Sequence, residues 1–227
     1  MEVLPPLRVI AYIHNDFPEK FGIPRQSGLV PDMVSTIVFE PPYRQPEALR
    51  GLEGYSHLWL LWLFSDTVRE EWSPTVRPPR LGGNRRVGVF ATRSPFRPNP
   101  VGLSSVRLEA VETTKTEGMV LKVSGADLKS GTPIIDIKPY IAYTDAHPEA
   151  VCGFADDVRE YGLAVEFPPN LLCRVPSQQR AALTAVLEQD PRPSYQQDPR
   201  RVYTMSFGKQ QIRFRVENGT LTVVGVD

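Results

Sequence analysis

Apolar residues in the first 140 positions come in short runs. LRVIAYIH (7–14), VSTIVFE (34–40), HLWLLWLF (57–64), RVGVFAT (86–92), SSVRLEAVE (104–112) and GMVLKVSG (118–125) are rich in β-branched or aromatic side chains and bounded by Gly or Pro. That pattern predicts strands, and IIDIKPY (134–140) is a seventh candidate. HLWLLWLF is apolar at every position after His57, which predicts a strand buried on both faces, central in a sheet or against a second copy. QPEALRG predicts a short helix, with Pro46 early in it and Gly51 past its end. Many short strands with Gly/Pro turns point to a barrel or sandwich rather than a doubly wound sheet.

Beyond Tyr140 the pattern is less regular until SQQRAALTAVLEQD (177–190), which predicts a helix capped by Ser177 and stopped by Pro191. Three strands follow: VYTMSF (202–207), QIRFRVE (211–217) and TLTVVGV (220–226). In the second, Ile212, Phe214 and Val216 alternate inward against Arg213 and Arg215 outward. Asn218-Gly219 is a strong hairpin turn. The expected organisation is a β body over 1–145, an irregular linker or insertion over 146–170, and a C-terminal α+β unit over 171–227.

Composition changes this picture in two places. The 227 residues include 23 prolines, against about 11 at typical usage, and these cluster between the apolar runs as stiff loops. Net charge is zero, yet Trp72 to Leu108 holds seven arginines and no Asp, Glu or Lys: Arg77, Arg80, Arg85, Arg86, Arg93, Arg97 and Arg107. Such a run reads either as a structurally paired set or as an anion-facing surface, since guanidinium matches carboxylate and phosphate bidentately. Cys152 and Cys173 lack ligand or redox spacing and are expected to be reduced and buried. The start of the chain lacks a signal pattern, and its longest apolar run is too short to cross a bilayer, so a cytoplasmic protein is expected.

Familiar chemical engines are missing from the sequence. It has no phosphate-loop glycines, no G-x-G-x-x-G after a strand, no H-E-x-x-H and no G-x-S-x-G elbow. With His14, His57 and His147 as its only histidines, no metal site is expected. Three proline- and polar-rich loops remain: GIPRQSGL (22–29), ATRSPFRPNPVGLS (91–104) and DLKSGTPIIDIKPY (127–140). Asp136 and Lys138 share one strand face in the last, as a surface ion pair would. Stiff polar loops on a β body are a common way to carry a ligand site.

PRQSGL, EGYSHLWLLWLF, RPPRLGGNRRVGVFATRSPFRPNPVGLS and SGTPIIDIKPY, in this order and spacing, resemble the TrmO family, also called the TsaA or YaeB family. DPRPSY (190–195) resembles the segment after the helix in its longer bacterial form, whereas 141–170 resembles little. The resemblance implies a small single-sheet β-barrel rather than a Rossmann sheet, a C-terminal α+β appendage, and a homodimer as working unit. It implies methylation of N6 of threonylcarbamoyladenosine at position 37, beside the anticodon of threonine tRNA, with S-adenosylmethionine as cofactor. Carried over by motif, the cofactor contacts are Pro24, Arg25, Gln26, Phe64, Ser65, Arg93, Leu103, Ser130, Gly131, Thr132 and Pro133. Lys129-Ser130 stands where the family usually shows an acidic residue before Gly-Thr.

Charge matching then divides the cations. Arg25 or Arg93 serves the cofactor carboxylate and Arg97 the threonyl carboxylate. Arg77, Arg80, Arg85, Arg86 and Lys138 face the anticodon stem-loop. Because the urea-like N6 lone pair is delocalised, loss of its proton should help attack, with Asp136, Tyr140 or water as acceptor. Two other readings fit the same residues: a non-catalytic RNA-binding module, and a methyltransferase for another nucleobase or small molecule.

Overall fold

The fold is seen in a computed structural model that describes residues 6–68, 71–78, 81, 85–158, 162–193, 196 and 198–227. It is mainly β. Strands β1 (Ala11–His14), β2 (Val34–Phe39), β3 (His57–Leu63), β4 (Thr75–Val76), β5 (Val87–Gly88), β6 (Val101–Thr114), β7 (Gly118–Ser124) and β8 (Pro133–Pro139) make up the first part. Six of them close on themselves in the order β1-β2-β7-β6-β3-β8, and β4 pairs with β5 as a separate arm. Every pairing in the ring is antiparallel. Its interior is a continuous apolar cluster that includes Ile13, Ile37, Leu58, Leu60, Trp62, Val106, Leu121 and Ile134.

Within one chain β3 is central in the ring but fully buried on one face only. Leu58, Leu60 and Trp62 point into the core, while Trp59, Leu61 and Leu63 lie half-buried on the outer wall. Part of that wall is covered by α2 (Ala142–Asp145), pinned by Trp59 Nε1 donating to Asp145 Oδ2 at 2.8 Å. The Ile141 amide donates to the same oxygen, and these bonds hold the Asp145 carboxyl below its ordinary range. α1 (Pro46–Leu49) begins at Pro46 as expected. RVGVFAT is not one strand: Val87–Gly88 is followed by a 3-10 turn over Val89–Ala91, because the prolines that follow cannot extend a ladder.

Inside the barrel, β6 must pass close to the Trp62 indole. A Cβ added at Gly102 would stand 2.2 to 2.6 Å from three of its ring atoms. Trp62 cannot swing away without breaking its bond to Ser104 Oγ at 3.0 Å. Gly102→Ala is therefore expected to cost about 1–3 kcal/mol through overpacking. A thermal melt checks this, with a fall of several degrees expected.

The second part contains β9 (Ala164–Glu166), α3 (Pro169–Leu172), α4 (Arg180–Glu188), β10 (Tyr203–Phe207), β11 (Gln210–Glu217) and β12 (Thr220–Val226). The sheet order is β10-β11-β12-β9, and β9 is parallel to β12. α4 buries Ala182, Leu183, Val186 and Leu187 against it. Ser177 does not cap this helix. It opens a 3-10 turn whose first amides follow Pro176, and its hydroxyl meets Gln178. Asn218 and Gly219 both take positive φ, the twist a tight hairpin needs. Cys152 and Cys173 are exposed rather than buried, since both lie on surface turns outside the two cores.

The second core is not made from the C-terminal part alone. Phe17, Val30 and Met33, all from the loop between β1 and β2, belong to it. Phe17 meets Phe207 edge-on at 5.5 Å, and Phe21 stacks on Phe214 at 6.5 Å. Gly22, at φ +94°, lies under Met205, whose sulfur would be 2.1 Å from any Cβ there.

Candidate functional site at one barrel rim

The antiparallel register fixes where the three loops emerge. His14, Val34, Leu63, Val101, Ser124 and Pro133 are the strand ends at one rim of the barrel. Residues 15–33, 64–100 and 125–132 therefore leave from the same side, although sequence spreads them over more than half the chain.

The loops are joined by hydrogen bonds. Arg93 Nη1 donates to Gln26 Oε1 at 2.5 Å, and both side chains are exposed. The Gly28 amide donates to Gly125 O at 2.8 Å, and the Ser105 amide donates to Ser27 Oγ. Pro24 is buried beneath this junction. Arg25 points elsewhere: its Nη2 donates to the carbonyls of Asp190 and Arg192 at 3.3 and 3.0 Å. Those two residues form a buried bidentate ion pair at 2.8 and 2.9 Å. Arg25 thus clasps the 190–193 segment to the loop that bears Gln26.

The turn at 130–133 is held by its backbone. Gly131, at φ +83°, donates to Ile13 O at 2.7 Å, and the Ser130 amide donates to Phe17 O at 2.8 Å. Thr132 is buried and donates to Lys129 O. The departure at Lys129-Ser130 has partners of its own. Lys129 Nζ pairs with Asp66 on the facing loop and holds that carboxyl below its ordinary range. The Ser130 hydroxyl accepts from the Asn15 amide. Phe64 packs on Trp62 at 4.2 Å, and its amide donates to Pro100 O, which brings Ser65 beside the proline-rich stretch.

A polar chain missed in the sequence runs beneath these loops. Trp62 Nε1 donates to buried Ser104 Oγ, which donates to Asp127 Oδ1 at 2.5 Å. Burial pushes the Asp127 carboxyl above its ordinary range; the Ser104 bond, Arg93 and the Ser27 amide partly oppose that. A carboxyl bonded to Ser104 and lying in the field of Arg93, at the root of one loop, is an electrostatic feature the three loops share. The signal in the sequence was an acid two residues past the glycine that closes a predicted strand, at the start of DLKSGTP.

Other expected site residues lie off this cluster. Leu103, 52% exposed, aligns with Leu61 and Asp136 across the outer wall. Asp136 pairs there with Lys138 at 2.8 Å. Tyr140 is at the opposite rim beside His57 and Trp59, roughly 23 Å along the strand from Pro133 at about 3.3 Å per residue. Arg97 lies beneath the rim, its Nη1 donating to Thr92 O at 2.7 Å and Val89 O at 3.3 Å. Arg77, Arg85 and Arg86 are exposed around the β4–β5 arm, with Arg86 donating to Thr75 Oγ1. Arg80 lies outside the described residues. Among the described residues no group of three His, Cys, Asp or Glu is arranged to hold a metal ion, and no helix is long and apolar enough to cross a membrane.

Comparison with known proteins finds relatives for both parts of the chain. The family model for the tRNA-methyltransferase O N-terminal domain matches residues 12–146, and that for the TrmO C-terminal domain matches 159–227. A tRNA (adenine(37)-N6)-methyltransferase of Escherichia coli (strain K12) is 40% identical over 227 residues, covering 96% of each chain. One of the same name from Eikenella corrodens is 45% identical over 174 residues, covering 76% of this chain and 97% of its own. The crystal structure of TrmO from Pseudomonas aeruginosa superposes with a TM-score of 0.79 at 35% identity, over 99% of this chain and 100% of that one.

Proposed function

The chain belongs to the tRNA-methyltransferase O family, and from that premise we propose that it methylates N6 of threonylcarbamoyladenosine at position 37 of threonine tRNA, with S-adenosylmethionine as donor. The observation that carries this reading is the convergence of the Gln26, Arg93 and Ser130–Pro133 loops on one rim around Asp127. The donors on these loops are an amide side chain, a guanidinium, hydroxyls and turn backbone. That set suits an organic cofactor bearing a carboxylate, an amine and a nucleobase. Residues 1–145 would form the catalytic body, 146–170 a linker, and 171–227 a buttress that fixes the first loop.

When bound, the donor supplies an electrophilic methyl group on a sulfonium, for in-line displacement. The protein's part is to bind, align and exclude water. Gln26 and Arg93 would orient the donor's polar end, with Pro24 and Arg25 shaping the loop from below. Phe64, Ser65 and the Ser130, Gly131, Thr132, Pro133 turn would line its other edge. Asp127 lies in the field of Arg93, whose guanidinium is bonded to Gln26. Asp136 and Tyr140 stand away from the rim within one protomer, so the N6 proton leaves to water there. Leu103 and Leu61 on the outer wall would meet a second copy in a homodimer. Arg77, Arg85 and Arg86 would grip phosphates of the anticodon stem, in the cytoplasm where tRNA works.

The test is transfer of a labelled methyl group to two threonine tRNAs, one carrying the threonylcarbamoyl group and one lacking it. Label on the modified tRNA alone is the expected result. Label on neither, with both tRNAs still bound, would leave a non-catalytic RNA-binding module.

A further inference from the structure

Three exposed apolar side chains lie together beside the rim: Val68, 68% exposed, Trp72, 51%, and Phe90, 70%. Val68 and Trp72 line a cleft of about 440 Å³, within the size range of small-ligand sites, together with Thr67, Phe96, Arg97, Pro100 and one acid, Glu71. The Trp72 and Phe90 rings touch, with centroids 6.0 Å apart and planes tilted by 32°. A planar base between two rings needs about 3.5 Å on each side. This pair is therefore too close to sandwich one, and a base would lie across it. The Arg97 guanidinium stands 5.7 Å from the Phe90 centroid, held by the Thr92 and Val89 carbonyls. Pro100 joins the cleft to the proposed cofactor edge, since its carbonyl accepts from the Phe64 amide.

We propose that the Trp72–Phe90 pair and the adjoining cleft form a stacking site for an unstacked nucleobase of a single-stranded RNA loop. Two observations favour RNA over an apolar protein partner. From Trp72 to Leu108 the sequence has seven arginines and no acid, and Arg77, Arg85 and Arg86, which lie between Trp72 and Phe90 along the chain, are exposed beside the β4–β5 arm. Aromatic faces set among guanidinium groups are how single-stranded RNA is held: rings take bases and cations take phosphates. The inference rests on the reading that tRNA is the substrate and says which surface receives its loop.

The probe is an anticodon stem-loop RNA titrated into the full chain, with tryptophan fluorescence and affinity read at several salt concentrations. Trp72 is the exposed tryptophan, whereas Trp62 is buried and Trp59 half-buried, so stacking should quench emission. Trp72→Ala is expected to remove the quench and weaken binding about 5- to 150-fold, the equivalent of roughly 1–3 kcal/mol per stacked base. Its salt slope should stay unchanged. Trp72→Tyr should restore most of the affinity. Arg86→Ala should instead shallow the log–log salt slope by about one. The proposal is overturned if Trp72→Ala binds the RNA as wild type does. It is also overturned if sedimentation shows that Trp72→Ala splits a dimer, for then a second copy covers this face. Quenching and binding without methyl transfer would sustain the stacking site and refute the enzymatic reading.

Discussion

Asp127→Asn is expected to lower methyl transfer about 10²-fold while leaving the protein at least as stable at neutral pH. The loss follows from position. Asp127 accepts from Ser104 and lies in the field of Arg93, which in turn holds Gln26. The amide keeps the shape and a hydrogen bond but removes the charge, and misplacement near 1 Å at an aligning group costs about that factor. The stability half follows from the pKa. Burial raises the Asp127 carboxyl above its ordinary 3.8 in the folded chain. The folded state therefore holds the proton better than the unfolded state does. The stability this contributes is complete below the ordinary value and is lost as pH rises through the raised one. At neutral pH ionised Asp127 weakens the fold, and Asn relieves that cost. The gap between variant and wild-type melting temperatures should open as pH rises from about 4 toward 7. A variant less stable than wild type at pH 7, yet fully active, would refute this account of Asp127.

Asp190→Ala is expected to produce the larger loss of stability, about 3–5 kcal/mol. Asp190 and Arg192 are 4% and 8% exposed and joined by two short bonds. Removing the carboxylate deprives the buried Arg192 guanidinium of both its bonds to Asp190 while the cation stays desolvated, which is more costly than never having had the pair. The effect reaches the rim, because Arg25 holds the carbonyls of both residues. Chemical denaturation should show the midpoint falling, and donor-dependent thermal stabilisation should fall with it. Asp190→Asn, which keeps an acceptor, should lose less. Equal and small losses for both variants would mean that solvent already reaches the pair.

Much of the scaffold was legible because β patterning is local. Alternation in QIRFRVE, the glycine and proline boundaries, and Asn218-Gly219 each dictate their own element. Failures came where distant partners decide. β9, three residues long, exists because β12 lies beside it, and no local pattern marks it. The 86–92 run has strand composition but turns after two residues, since its continuation is proline-rich. The cysteines were misjudged because small apolar character does not reveal which turns face water.

The site was legible only as separate loops. Antiparallel closure puts their roots on one rim, a property of the whole ring and not of any segment. Asp127 was hidden because its weight comes from Ser104, 23 positions earlier, and from Arg93. Arg25 and Arg97 looked like ligand cations. Both donate to backbone carbonyls in the fold, and sequence does not show which acceptors lie within a guanidinium's reach.

The shared second core also orders events in time. A growing chain presents residues 15–33 long before β10 to β12 exist. Phe17, Val30 and Met33 then have no sheet to bury against, and Gly22 has no Met205 above it. The six barrel strands are all synthesised by residue 139, ahead of the sheet against which the loop bearing Gln26 buries Phe17, Val30 and Met33. The order of synthesis thus delivers the barrel's strands before the sheet that buttresses its rim.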